Sequence, residues 1–297
     1  MAETNSWRLA IRHETAVEYD GTAHASYNEV RMTPLNTAGQ STLNHRVELY
    51  PPVTQWEYTD YWGTRVTAFD LQELHSTLTI RATSTVETSG PAQPAGSASE
   101  LATDGPARPR CDWPTVARAA SSAELAEFTA ATARTAIAAE LVQSARERTR
   151  GADPHEAADA LAAWVHESVA YVPGATGVHT NAQESWDQGE GVCQDFSHMT
   201  VALMRAVGLP ARYVSGYLFP DPQALPGTSV EGQSHAWVEY WAGGWHGLDA
   251  TNRTVPGVRH VVVGHGRDYA DVLPHKGIYH GAPGRALKVS VQFTRLI

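Results

Sequence analysis

Apolar and polar positions alternate with a period of two through most of residues 7–88. That is the spacing of strands with one buried face. Runs 7–12, 15–19, 26–32, 44–50, 55–61, 65–71 and 76–86 each end at Pro, Gly, Asn or another turn-forming residue. Asp20-Gly21, between two such runs, predicts a hairpin turn. Short strands at this spacing predict an all-β, sandwich-like domain over residues 1–90. The stretch 91–109, rich in Pro, Gly, Ser and Ala, reads as a linker.

Beyond it the period turns helical. An Ala-rich run predicts a helix over 123–138. Asp153-Pro154-His155-Glu156 has the form of a helix start: Asp caps, Pro takes the first helical position and Glu reaches back to the cap. In 193–207, Phe196, Met199, Leu203 and Val207 form one apolar stripe, and Gly208 and Pro210 close the segment. Runs 211–218, 235–241 and 245–249 read as strands, the last two joined by a turn at Ala242-Gly243-Gly244. An α+β domain over 110–297 is the expectation, with the run 287–293 free to pack elsewhere.

The pattern places three reactive side chains at element ends. Cys193 follows a Gly-rich turn and opens a helix, where free backbone amides favour an anion and offer donors to an oxyanion. His235 starts one strand of a hairpin and Asp249 ends the other, so spacing brings them close. It does not bring Cys193 to them. A thiol nucleophile needs a base, and the base an orienting acid. Asp195 and His198 fall in the first turns of the Cys193 helix and read as supports. Trp237 reads as a cover for the His–Asp pair or as plain core. Gln188 is a candidate side-chain oxyanion donor.

Composition removes several function classes. The 297 residues carry 32 acidic and 22 basic side chains, a net charge of −10, with no Lys/Arg run. Nucleic acid is therefore not an expected partner. No apolar run approaches ~18 residues, so no membrane span is expected. Two cysteines, Cys111 and Cys193, make no disulfide framework. The polar start reads as having no secretory segment, and a reduced, cytoplasmic setting is the expectation. A Cys111–Cys193 disulfide under oxidation is a minor possibility. His260, His265, His275 and His280 cluster in sequence without a recognised ligand spacing, so neither metal nor cofactor is expected.

The segments Gly191-Val192-Cys193-Gln194-Asp195-Phe196-Ser197-His198, 205–217, His235-Ala236-Trp237-Val238-Glu239 and Asp249-Ala250-Thr251-Asn252 together resemble the bacterial transglutaminase-like superfamily. So do Gly266-Arg267-Asp268-Tyr269-Ala270-Asp271-Val272, Tyr27-Asn28-Glu29-Val30-Arg31 and Asp60-Tyr61-Trp62-Gly63-Thr64. The resemblance implies a papain-like catalytic domain preceded by the family's β domain. It implies Cys193 as nucleophile, His235 as general base and Asp249 as orienting acid, acting on peptide or protein amides. Ala250 stands where the family usually has Pro, and Thr64 where Asn is common; the latter is expected to affect only a turn. Three functions follow as expectations: amide hydrolysis, acyl transfer to an amine, and a non-catalytic binding module that retains the fold.

Overall fold

The structure is a computed structural model and describes residues 4–91 and 108–297. Most of the expected linker lies outside the described residues. The N-terminal part is strands only: β1 (Thr4–Val30), β2 (Gln40–Tyr50), β3 (Gln55–Thr59), β4 (Arg65–Leu71) and β5 (His75–Pro91). The C-terminal part runs α1 (Trp113–Ala120), α2 (Ala139–Arg148), α3 (Pro154–Ser168), β6 (Ala170–Tyr171), α4 (Ala182–Gln188), β7 (Glu190–Gly191) and α5 (Cys193–Ala206). It continues through β8 (Ala211–Leu218), β9 (Ser229–Gly232), β10 (Ser234–Trp241), β11 (Trp245–Leu248), β12 (His260–Gly266), β13 (His275–Gly281) and β14 (Gly284–Arg295).

β1 is one long strand, not the expected pair. Up to the middle its inward residues are odd: Trp7, Leu9, Ile11, His13 and Thr15. Beyond Ala23 they are even: Ser26, Asn28 and Val30. Such a change of parity needs an irregularity in the ladder. Register shifts fall between Glu18 and Ala23 against β5, and between Ala23 and Ala25 against β13. Asp20-Gly21 therefore bends a continuous strand instead of reversing it. The reversal is prevented because this segment is itself paired. Asp20 N–H donates to the Pro283 carbonyl (2.8 Å), and Ala282 N–H donates to that of Thr22 (3.0 Å).

The boundary at 110 is only partly right. β13 and β14 leave the C-terminal half and pair antiparallel with β1, and β9 pairs with β14. The first sheet thus has eight strands, three from the C-terminal half. Long alternating strands bury a face only inside a sheet, and β1 offers the matching edge. Trp7, Leu9, Ile11, Val86, Val291 and Phe293 of this sheet share a core with Tyr217, Phe219, Val261 and Val263 of the second. Each such apolar side chain, fully buried, contributes about 1.5–3 kcal/mol. Thr64 also belongs to this contact. It is fully buried, and a Cβ on Gly264 of β12 would lie 2.7 Å from its hydroxyl. Its role is therefore packing between sheets as well as the turn.

The second sheet, in the order β11-β10-β8-β12, carries α5 against β10 and β8. Asp153 and Glu156 form the expected capping box on α3. α5 is more enclosed than one apolar stripe implies, being buried from Asp195 through Arg205. Most of its polar residues find partners, while the buried His198 Nδ1 has none among the described residues. Thr200 donates to the Phe196 carbonyl, and Arg205 donates to the carbonyls of Ala211, Ala130 and Arg267. The Ala-rich run 123–138 holds only a short 3-10 turn, Ala126–Phe128. Downstream, Thr132 and Thr135 bind each other's backbone and hydroxyl groups, competing with helical bonds. Among the described residues, no helix is long and apolar enough to cross a membrane.

Buried histidines predict an acid weakness. Burial pushes His13 down to about 4 and His198 to about 3. The unfolded chain protonates histidine near pH ~6.5, so below that it binds more protons than the fold does. Stability should fall on acidification through this window, by about 1.4 kcal/mol per pH unit for each such histidine. His235, raised by its partners, acts in the opposite sense: its contribution is present below that pH and lost as pH rises through its folded value. Urea unfolding at a series of pH values checks this. A flat profile from neutrality to about pH 4.5 would contradict it.

Candidate active site

The site forms where the N-terminus of α5 meets the first residues of β10. Gly191 N-terminal to the helix is required by packing, since a Cβ there would come 2.7 Å from that of Asp195. The Asp195 and Phe196 amides donate to the Val192 carbonyl. Those of Cys193 and Gln194 have no acceptor among the described residues, leaving two donors beside the Cys193 sulfur.

His235 enters from β10, which pairs with β8 and, by a hairpin, with β11. That hairpin brings Asp249 up to it, with His235 Nε2 2.7 Å from Asp249 Oδ2. Cys193 stands close enough to the same ring to help raise its pKa. Asp249 is fully buried and the His235 side chain is 9% exposed. Burial opposes charge on His235, but the charge and hydrogen bond of Asp249, with the Cys193 contact, raise its pKa well above the ordinary histidine value. Asp249 is lowered: burial works against its ionisation, and His235 and His260 outweigh it. Chemically, this is a thiol at a helix N-terminus, beside an imidazole whose Nε2 is fixed by a buried carboxylate.

Residues 135–250 match the model of the transglutaminase-like superfamily, and 9–87 match that of the bacterial transglutaminase-like N-terminal region. An uncharacterised Mycobacterium leprae protein is 39% identical over 290 residues, covering 98% of this chain and 99% of its own. The chain belongs to the transglutaminase-like superfamily. An uncharacterised Mycobacterium tuberculosis protein is 34% identical over 96% of this chain and 91% of its own. A Pseudomonas aeruginosa protein-glutamine gamma-glutamyltransferase is 31% identical over 129 residues, 40% of this chain and 19% of its own. The fold matches a crystal structure from Cytophaga hutchinsonii, described as a candidate cysteine protease. Its TM-score is 0.76 at 23% identity, over 100% of this chain and 93% of the other.

Around this transglutaminase-like centre stand residues that the sequence did not single out. His260, on β12, donates from Nε2 to Asp249 Oδ2 at 3.2 Å. Its direction is fixed because Nδ1 accepts the Gly257 N–H at 3.2 Å, which leaves the proton on Nε2. Burial lowers its pKa, so it acts as a neutral donor. Asn252 adds its side-chain amide to Asp249 Oδ2 (2.8 Å) and its backbone N–H to Oδ1 (3.2 Å). Asp249 thus accepts from three residues. Tyr171, Tyr213 and Tyr269 are all raised, first by burial and also by the nearby Cys193 charge, so their phenols stay protonated beside the thiol.

The expected supports divide. Asp195 is fully buried and accepts from the Ser185 hydroxyl (2.9 Å), the Thr176 hydroxyl and Val192 N–H (2.8 Å), tying α4 and the preceding loop to the start of α5. His198 accepts the Tyr269 N–H at 3.1 Å and so holds the turn that lays Tyr269 near Cys193. Trp237 is buried, stacked on His235 at 28° and edge-on to His260. Gln188 ends α4 as an exposed side chain with no hydrogen bond among the described residues, and is not brought to the thiol. Cys111 lies against Gly243, at the far end of β10 from His235. Seven residues of strand separate the two by about 20 Å, and both cysteines are free.

The four clustered histidines are dispersed. His265 meets Glu239, His275 meets Asn28, and His280 meets His24. His235, Asp249 and His260 offer metal-ligand atom types within 4.8 Å of one another. Their atoms are nonetheless already hydrogen-bonded to each other.

Proposed function

We propose that the chain is a thiol acyl-transfer enzyme acting on amide bonds, a cysteine peptidase or amidase with Cys193, His235 and Asp249 as its reactive set. The observation that carries this is the His235 ring, held at 2.7 Å by a fully buried carboxylate and flanked by Cys193 at the start of α5. The Cys193 sulfur attacks the amide carbonyl as the C–N bond breaks. His235 gives its proton to the leaving amine, and a thioester remains on Cys193. The developing oxyanion is received by the free amides at the start of α5. Water, deprotonated by His235, then releases the acid and restores the thiol. Tyr171, Tyr213 and Trp237 limit solvent at the centre.

Transfer to an amine is the second reading. It is supported by the partial similarity to the gamma-glutamyltransferase, and it differs only in the nucleophile that resolves the thioester. Intact-mass analysis of the protein with a library of glutamine- and amide-containing peptides, with and without a primary amine, separates the two. Hydrolysed peptide alone supports the first reading, and amine-adducted peptide the second. Absence of either product, with no acyl adduct on Cys193, would overturn both and leave the binding module. A cytoplasmic, soluble peptide or protein substrate completes the reading.

A further inference from the structure

Arg134 is a cation over the Tyr269 ring that forms no ion pair among the described residues. Its loop is fixed on both sides. Its carbonyl accepts the Ala182 N–H at 2.8 Å, and Thr132 and Thr135 hold the turn around it. Arg134 Nη1 donates to the Val178 carbonyl. The guanidinium carbon then lies 5.9 Å from the centre of the Tyr269 ring. Tyr269 and Cys193 both pack against the Tyr213, Ala236 and Val272 cluster, so the ring under the guanidinium belongs to the surroundings of the sulfur. Among the described residues no carboxylate forms an ion pair with Arg134, and its Nε and Nη2 have no acceptor. Arg212 and Arg267, by contrast, are each paired with an acid.

A guanidinium held by one carbonyl, with its other donors free, is a fork suited to an oxygen anion. The phenols of Tyr171 and Tyr269 are kept neutral, so they add no negative charge to oppose such an anion. Resting on the acyl-transfer reading, we propose that the site takes acyl donors carrying a free carboxylate near the scissile amide, and that Arg134 receives that carboxylate. The residue is a specificity determinant; the reacting atoms are handled by Cys193 and His235. In a chain with 32 acids and 22 bases, an unpaired arginine in the surroundings of the nucleophile selects against the prevailing surface potential.

Two alkylating agents of nearly equal size test this without a known substrate: anionic iodoacetate and neutral iodoacetamide. The ratio of their rates at Cys193 is read by peptide mapping, with Cys111 as internal reference. Arg134→Ala and Arg134→Gln should lower the iodoacetate-to-iodoacetamide ratio about threefold or more, an effect that salt weakens. Arg134→Lys should restore part of it. Arg46→Ala, the same charge change on an exposed strand of the first sheet, should leave it unmoved. An unchanged ratio in both neutral variants, with Cys193 still reactive, overturns the carboxylate site and leaves the enzyme reading standing. If the alkylation rate of wild-type Cys193 with either reagent varies with pH as that of Cys111 does, the enzyme reading is overturned, and the inference with it.

Discussion

Replacing His235 with alanine is expected to remove turnover by about 10³-fold or more and to change the pH profile of Cys193 alkylation. In the wild type, the raised pKa of His235 keeps a proton on the ring across neutrality. The imidazolium then stands beside the sulfur, and removing it should slow alkylation near neutrality and change how the rate varies with pH. Without the ring, a free thiol ionises near pH ~8.5 and its rate climbs about tenfold per pH unit below that. The shape of the profile decides the matter. A single rate does not, because a less basic thiolate is also a weaker nucleophile. Cys111, whose thiol burial and Asp112 push up, supplies an internal reference in the same sample. Superimposable Cys193 profiles for the two proteins would refute the proposed chemistry.

Asp249→Asn should be nearly as damaging, for a different reason. The carboxylate oxygens accept from His235, His260 and both amides of Asn252. An asparagine keeps one acceptor oxygen and turns an NH2 group toward donors. Turnover is expected to fall by about 10³–10⁴, the loss seen when the acid of a Ser-His-Asp triad becomes an amide. The fold should suffer as well, since each buried donor left unpaired costs about 1–3 kcal/mol. The carboxylate's lowered pKa means that its contribution is present at neutral pH and lost only in strong acid. The variant should therefore be less stable at pH ~7 and approach wild type as the pH falls toward the lower carboxylate range. His260→Ala on this background removes one of the donors facing the new amide. A double-mutant cycle should give a coupling of about 0.5–3 kcal/mol; additive losses would mean that His260 does not act through Asp249.

The proposed nucleophile, base and acid could be picked out as candidates because each sits at the end of an element with a local pattern. Cys193 opens a helix behind a glycine turn, and His235 and Asp249 close a short hairpin. That local geometry says which two can meet. The third meeting depends on α5 packing on β10, which no spacing encodes. His260 was not legible at all. It reaches Asp249 only because β12 pairs with β8 on the side away from the hairpin, a long-range choice. Asn252 was quoted within a motif without a role, since its use depends on the tight return of the chain between Asp249 and Thr254. The Asp20-Gly21 hairpin failed for the same kind of reason: local turn chemistry lost to strands 50 and more residues away that keep the segment paired as one bent strand. The domain boundary failed because strand alternation reveals an edge but not the partner that fills it.

The pairing of β9 with β14 places the segment just ahead of His235 under the control of the chain's last strand. Gly232 marks the contact, since a Cβ there would come 2.6 Å from the Phe293 ring. The two halves are therefore not separable pieces that recombination could exchange freely. A chain shortened to the region matching the superfamily core would lose β14, the strand that pairs with β9, and β12, the neighbour of β8, leaving bare edges prone to self-association. A frameshift near the C-terminus would likewise remove the partner of the strand just ahead of His235 without touching any residue of the candidate site.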